Sequence, residues 1–371
     1  MYPPVLHQAG ILRELADVTI VDAGPQTNPF ETASDVRRVR ISEKSSTGVL
    51  AAAVRAVGMM RFRQAVSREM RCGCDVVIAF DPEAAAVVLD LANKYPARTC
   101  VVHMHEDLDL ASWSGSRSNI RAIRKMLENV RRAAFVVSAD SYRAKRLQEA
   151  LGDRAVVKTV MNCPRLMTTL PESRLLPLMR QKLERDVPIV HYQGSVGPDH
   201  GLESIIKSMK LWPIPAILCV VGRGSESYVE GLRSLAVECG VQERVFFLGK
   251  VPYNQVMSFA TGASIGMTLL DITRDNWRYA AGASNKRFEY AALGIPQVTN
   301  SGPGMDELFV DHGMALTADP NSPESLAERL GFYLMNPDAR TQAGAKARAM
   351  HLSAYNYELE FAPVLESLGI A

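Results

Sequence analysis

The feature that most constrains this chain is an alternation of short apolar runs with longer segments of 3.6-residue period, sustained almost from end to end. Each run has the length of a strand buried on both faces, and each intervening segment is long enough for a crossover helix. Together they predict a doubly wound α/β protein with parallel sheets. In the first half, strands are expected over 17–21, 36–41, 75–80, 99–103, 134–138 and 155–160, with the longest helix over 47–71. The second half repeats the scheme. Its strands fall over 187–192, 216–221, 245–248, 264–269, 295–299 and 314–317, and helices close the chain over 322–334, 337–350 and 355–368.

The alternation lapses once, after Asn162, in a polar run that carries Pro164, Pro171 and Pro177; a short helix is expected over 175–185. Because 371 residues are also long for one core, two domains are expected: 1–163, a linker over 164–187, 188–351, and a last helix over 352–371 that returns to the first domain. One element is missing. A doubly wound half normally opens on a strand, but Met1-Tyr2-Pro3-Pro4 runs directly into the helical pattern of 5–15, so that strand is absent or lies upstream.

Composition narrows the class. Apolar residues make up 47% and charged residues 22%, the balance of an ordered soluble protein. No apolar run approaches the roughly 18 residues that span a bilayer, and the N-terminus lacks the pattern of a signal peptide, so a cytoplasmic protein is expected. Six cysteines are scattered without a Cys-x-x-Cys pair, which points to reduced thiols, and Cys72-Gly73-Cys74 reads as a turn rather than a metal site. Charge is uneven: residues 1–165 hold 24 Lys and Arg against 18 Asp and Glu, whereas the remainder holds 18 against 22. On the basic half, Arg55, Arg61, Arg63, Arg68 and Arg71 share one helix, and Arg117, Arg121, Arg124 and Lys125 form a stripe on another. Such faces are ordinarily solvated; the alternative is peripheral contact with an anionic membrane surface or a phosphate-bearing lipid. The 25 aromatic residues are not interleaved with these runs, which argues against nucleic acid.

In an open parallel sheet, ligands collect at the carboxyl ends of strands and anions at helix N-termini. Three glycine turns occupy such positions: Gly194-Ser195-Val196-Gly197-Pro198-Asp199-His200-Gly201, then Val221-Gly222-Arg223-Gly224, then Gly249-Lys250-Val251. The first suits a diphosphate, the second adds a fixed cation, and the third offers a strand edge to a nucleobase. They lead to the stretch from Ser284 to Leu308, which opens a helix with Asn285-Lys286-Arg287-Phe288-Glu289. Phe288, Ala291 and Ala292 would face a core, Lys286 and Arg287 would meet an anion, and Glu289 would accept from sugar hydroxyls.

Ser284-Asn-Lys-Arg-Phe-Glu-Tyr-Ala-Ala-Leu-Gly-Ile-Pro296, with the glycine turns and the run Arg244 to Tyr253, resembles the GT-B glycosyltransferases, specifically family 4 of the retaining enzymes, over about 187–334. The resemblance implies two Rossmann-like domains facing a cleft. It implies a donor diphosphate at Gly194, Ser195, His200, Arg223, Lys286 and Arg287, the ribose on Glu289, and the base at Gly249, Lys250 and Val251. Val102-His103-Met104-His105-Glu106 is the best match in the first half and makes His105 the catalytic histidine that touches the transferred sugar. A zinc site at His103 and His105 lacks a partner cluster, and Asp107-Leu108-Asp109 belongs to a metal-dependent architecture of another kind.

Three departures stand out. Ala281 replaces the glutamate eight positions before Glu289, Ser195 and His200 replace an arginine and a lysine, and the opening strand is missing. Charge neutralisation then falls to Arg223, Lys286, Arg287 and helix dipoles. The expected function is transfer of a hexose or N-acetylhexosamine from a nucleotide sugar, in the uridine form, to an acceptor hydroxyl with retention and with no cofactor or metal. The setting that the resemblance implies is bacterial glycan or glycoconjugate synthesis. The acceptor is not named by any motif. Two alternatives stay open: a non-catalytic GT-B subunit that binds a nucleotide or a partner enzyme, and a sugar-nucleotide epimerase.

Overall fold

The computed structural model describes residues 3–24, 35–42, 50–95, 98–107, 117–183 and 186–370. They group into two compact units, Met1–Met161 with Glu360–Ala371, and Asn162–Leu359.

In the first unit the helix Pro3–Leu12 precedes a parallel pair, β1 (Thr19–Gly24) and β2 (Arg37–Ser42). After the helix Leu50–Cys72 come β3 (Val76–Phe80), β4 (Thr99–Met104), β5 (Phe135–Ser138) and β6 (Val157–Thr159), a parallel sheet in the order β3-β4-β5-β6. Among the described residues the pair and the four-stranded sheet are separate sheets. No described residue forms the strand that would stand between them. The core joins Phe62, Val66 and Met70 of the long helix to Leu89, Val102 and Met126. Five of the six residues of β4 are buried, His103 among them, which fits the apolar Cys100-Val101-Val102 at its centre.

The second unit is organised by β7 (Ile189–Ser195), β8 (Ile217–Arg223), β9 (Val245–Gly249), β10 (Ile265–Thr268), β11 (Gln297–Asn300) and β12 (Ala315–Ala318). All its pairings are parallel, in the order β12-β11-β10-β7-β8-β9. Counted within the unit this is 6-5-4-1-2-3, so the winding reverses between β7 and β10 and opens the ligand position of a doubly wound sheet at their carboxyl ends. The stretch expected as a linker is not free. Its helix Leu175–Arg180 buries Leu175 and Met179 against Ile189, Ile217 and Cys219, because those strands leave apolar side chains on that face.

The last helix, Tyr357–Leu368, ends the chain as an ordered element. Its Glu360 carboxylate accepts from the Met161 backbone N–H at 2.9 Å, and Ser367 Oγ accepts from Lys158 Nζ at 2.6 Å.

Candidate active site

The helix Asn285–Leu293 follows β10 and starts at the switch point. The sequence suggested an amphipathic helix, yet every residue from Arg287 to Leu293 is buried. A carboxylate on such a helix must find partners. Glu289 is 4% exposed and accepts from Gln193 Nε2 of β7 at 2.5 Å and from the Tyr253 hydroxyl at 3.4 Å. Tyr253 opens the helix Tyr253–Ala260, just after the Gly249-Lys250-Val251 turn. Among the described residues, no ion pair holds Glu289. Burial raises its carboxyl to about 7, against the opposing pull of Gln193, Lys286 and Tyr253.

One turn earlier, Lys286 reaches back over the first glycine turn. Its Nζ donates to the Tyr192 hydroxyl at 3.1 Å and lies 4.2 Å from the centre of that ring. A Cβ on Gly194 would come 3.2 Å from Lys286 Nζ, and Gly194 has φ +121°, so both space and backbone call for glycine there. Burial, and then the neighbouring Arg287 charge, lower the Lys286 amine to about 7. A helix-borne cation thus lies against the backbone of the turn in which Ser195 and His200 stand where a charged pair was expected.

The other expected donor residues divide. Ser195 is exposed at the end of β7, and its carbonyl accepts from the Tyr192 hydroxyl. His200 is buried between Tyr192 and Trp277, with ring centres 6.2 and 5.6 Å away, and burial with the Lys286 charge lowers it to about 3. Its imidazole is therefore neutral at physiological pH and does not replace the charge of a lysine. Arg223, Gly249 and Lys250 line a depression with Gly222, Glu226 and Arg233, at the ends of β8 and β9. Val251 follows, half-buried. Gly222 serves packing: a Cβ there would come 1.8 Å from Gly194 O, so the first two glycine turns stack backbone on backbone.

Arg287 corrects the sequence expectation. It is 1% exposed, and its guanidinium donates to Ala280 O at 2.6 Å, to Thr268 O at 3.2 Å and to Asn300 Oδ1 at 3.2 Å. Thr268 and Asn300 end β10 and β11, and Ala280 lies in the loop between them, so the guanidinium ties two strand ends to that loop and spends these donors within the protein. Ala281, where a glutamate was expected from the resemblance, is itself buried.

In the first unit, His105 lies just past the end of β4 and is 4% exposed. Asp81 accepts its backbone N–H at 3.0 Å and meets its Nδ1 at 3.2 Å. The rings of His103 and Phe80 stack on it, with centres at 4.9 and 5.4 Å. Burial, and next the nearby His105, hold His103 well below its ordinary value, and Gln8 Nε2 bonds its Nδ1 at 2.7 Å. Asp107 is buried and paired with Arg146 at 3.3 Å; Asp109 lies outside the described residues.

Sequence reasoning passed over Gln193, Tyr192, Tyr253 and Asp81. The first three sit inside stretches already singled out, at β7 and after β9, and only strand register shows which of their side chains turn to Glu289 and Lys286. Asp81 had a local signal: Asp81-Pro82 directly after an apolar run marks a helix start.

Comparison with known proteins bears on the fold and the family. Residues 218–366 match the family model described as Glycosyl transferase-like. A GDP-mannose-dependent alpha-(1-6)-phosphatidylinositol monomannoside mannosyltransferase of Mycobacterium tuberculosis is 28% identical over 133 residues, 36% of this chain; the match spans about a third of that relative, 34% of its length. The protein of the same description from Mycolicibacterium smegmatis is 23% identical over 291 residues, 76% of this chain and 73% of the relative. Among solved structures, Anabaena Alr3699/HepE in complex with UDP and glucose superposes with a TM-score of 0.73 at 17% identity, covering 99% of this chain and 95% of that one. By its sheet order and its structural neighbours the chain has the GT-B fold, and residues 218–366 are similar in sequence to glycosyltransferases.

Proposed function

We propose that the protein is a retaining, family 4-like hexosyltransferase that uses a nucleotide sugar and needs no metal. The observation that carries this reading is the pairing on one helix start at the switch point. Glu289 is held as a hydrogen-bond acceptor for a ribose, and Lys286 lies against the Gly194 backbone for a diphosphate. A cation and backbone amides so arranged stabilise the charge that develops on a departing nucleoside diphosphate without reorganising. Gly249, Lys250 and Val251 take the base, and Arg223 adds a second cation at the rim. His105 acts on the transferred sugar, and the acceptor hydroxyl attacks from the side the leaving group departs.

The donor base is the open element of this reading. The resemblance favours a uridine nucleotide and the Anabaena protein was solved with UDP, whereas the mycobacterial relatives are described as GDP-mannose-dependent. Among the described residues no helix is long and apolar enough to cross a membrane. Arg121, Arg124 and Lys125 are exposed on one helix, as Arg55, Arg61, Arg68 and Arg71 are on another, and these faces support a cytoplasmic enzyme in peripheral contact with an anionic surface.

Calorimetric titration with UDP, GDP, UDP-glucose and GDP-mannose tests the reading. Micromolar binding of one base series is expected, with His105→Ala sparing that binding while abolishing release of the sugar. Failure of all four to bind would leave the non-catalytic alternative standing.

A further inference from the structure

We infer that Asp81 is a positioning residue for the reaction, one that fixes the tautomer of His105. The inference rests on the reading above for the role of His105, but its structural part stands alone. Asp81 has φ 63°, the only positive value at a non-glycine among the described residues. A left-handed conformation is costly for a residue with a Cβ, by on the order of 1 kcal/mol, and is retained where the surroundings demand it. Here the demand is visible. One Asp81 oxygen accepts the His105 backbone N–H at 3.0 Å while the other faces His105 Nδ1 at 3.2 Å, so a single carboxylate grips the residue at both ends.

A carboxylate can only accept, so Nδ1 carries the proton and, in the neutral ring, Nε2 is the acceptor. The rings of Phe80 and His103 form one stacked cluster with the imidazole, their planes within 13° and 22° of its own. Asp81 sets the choice of tautomer through its contact with Nδ1. The result is an imidazole whose Nε2 is a hydrogen-bond acceptor, the form needed to accept a hydrogen bond from a hydroxyl of the transferred sugar. Arg143 Nη1 donates to the His105 carbonyl at 2.5 Å and locks the backbone on the other side.

Asp81→Asn discriminates sharply. Asparagine tolerates the left-handed conformation, so the fold should be kept. Its single oxygen must accept the fixed backbone N–H of His105, which turns its NH2 group toward Nδ1. Two donors cannot face each other, so the ring proton moves to Nε2. Long-range 15N–1H NMR of the histidine-labelled full chain, with His105→Ala for assignment, reads this directly. The expected result is Nδ1–H in the parent and Nε2–H in the variant.

In parallel, release of sugar from UDP-glucose or GDP-mannose should fall in kcat on the order of 100-fold, since a misoriented group loses about that much, while the Kd of UDP or GDP stays within about threefold as no nucleotide contact is touched. A proton on Nε2 in the parent, an unchanged tautomer in the variant, or a switched tautomer with unchanged kcat would each overturn the inference. A parent that binds no nucleotide would remove the proposed transferase and leave the tautomer measurement to decide whether Asp81 sets the ring.

Discussion

Replacing Glu289 by glutamine is expected to stabilise the ligand-free protein, by an amount that grows with pH. The carboxyl rises from its ordinary 4.5 to about 7 in the folded protein because the side chain is buried with only Gln193 and Tyr253 to replace water. A folded value above the unfolded one means that the unfolded chain ionises first. The penalty is therefore absent below pH 4.5, accumulates as pH rises from 4.5 to about 7, and is constant above that. At about 1.4 kcal/mol per pH unit the full penalty is on the order of 3 kcal/mol. Glutamine has nearly the same volume and can still accept from Gln193 while its amide donates to the Tyr253 oxygen.

Urea denaturation of the two proteins across this range should show no difference at the acid end and a stabler variant at pH 8. The same variant should bind the nucleoside diphosphate about 10- to 100-fold more weakly, the usual loss when a charged acceptor is removed. A variant less stable at pH 8, or a difference that ignores pH, would refute the idea that an unpaired buried carboxylate is retained for a ligand at a cost in stability.

Lys286→Met should act in the opposite pH direction. The amine falls from 10.5 to about 7 in the folded protein, so its penalty grows as pH drops from 10.5 to 7, and the variant should gain most in urea at pH 6 and nothing near pH 11. Calorimetry should find its affinity for UDP or GDP reduced about tenfold or more, with the free nucleoside bound as before, because only the diphosphate needs the charge. Arg287→Met should instead cost about 3 kcal/mol or more in urea denaturation, since it removes three buried hydrogen bonds from a charged donor, although Leu270 N–H still serves Asn300 Oδ1 and Thr299 Oγ1 still serves Thr268 O. Unchanged stability together with lost diphosphate binding would return Arg287 to the anion site.

Much of this was legible before any coordinates. The apolar runs that became β4, β7 and β8 are buried on both faces, and burial of that kind leaves a continuous signature in the residues themselves. Around Glu289 only one stripe was legible: Phe288, Ala291 and Ala292 pointed to a core-facing side, whereas burial of every residue from Arg287 to Leu293 was not. Arg287 was misread by the same logic. One residue of rotation along a helix turns a side chain by 100°, and the periodicity alone did not say that this arginine points to the ends of β10 and β11.

The chain on its own determines where strands and helices start, that the sheets are parallel, and which loops stand at their carboxyl ends, because periodicity and glycine placement are local properties. Which charge serves which turn is not local. Lys286 comes to the Gly194 turn from 92 residues further along, and Asp81 grips His105 across 24, through contacts that exist only once β10 lies beside β7 and β3 beside β4. Strand order brings those side chains together, and strand order is decided by how layers bury their apolar faces, a quantity that belongs to the folded molecule as a whole.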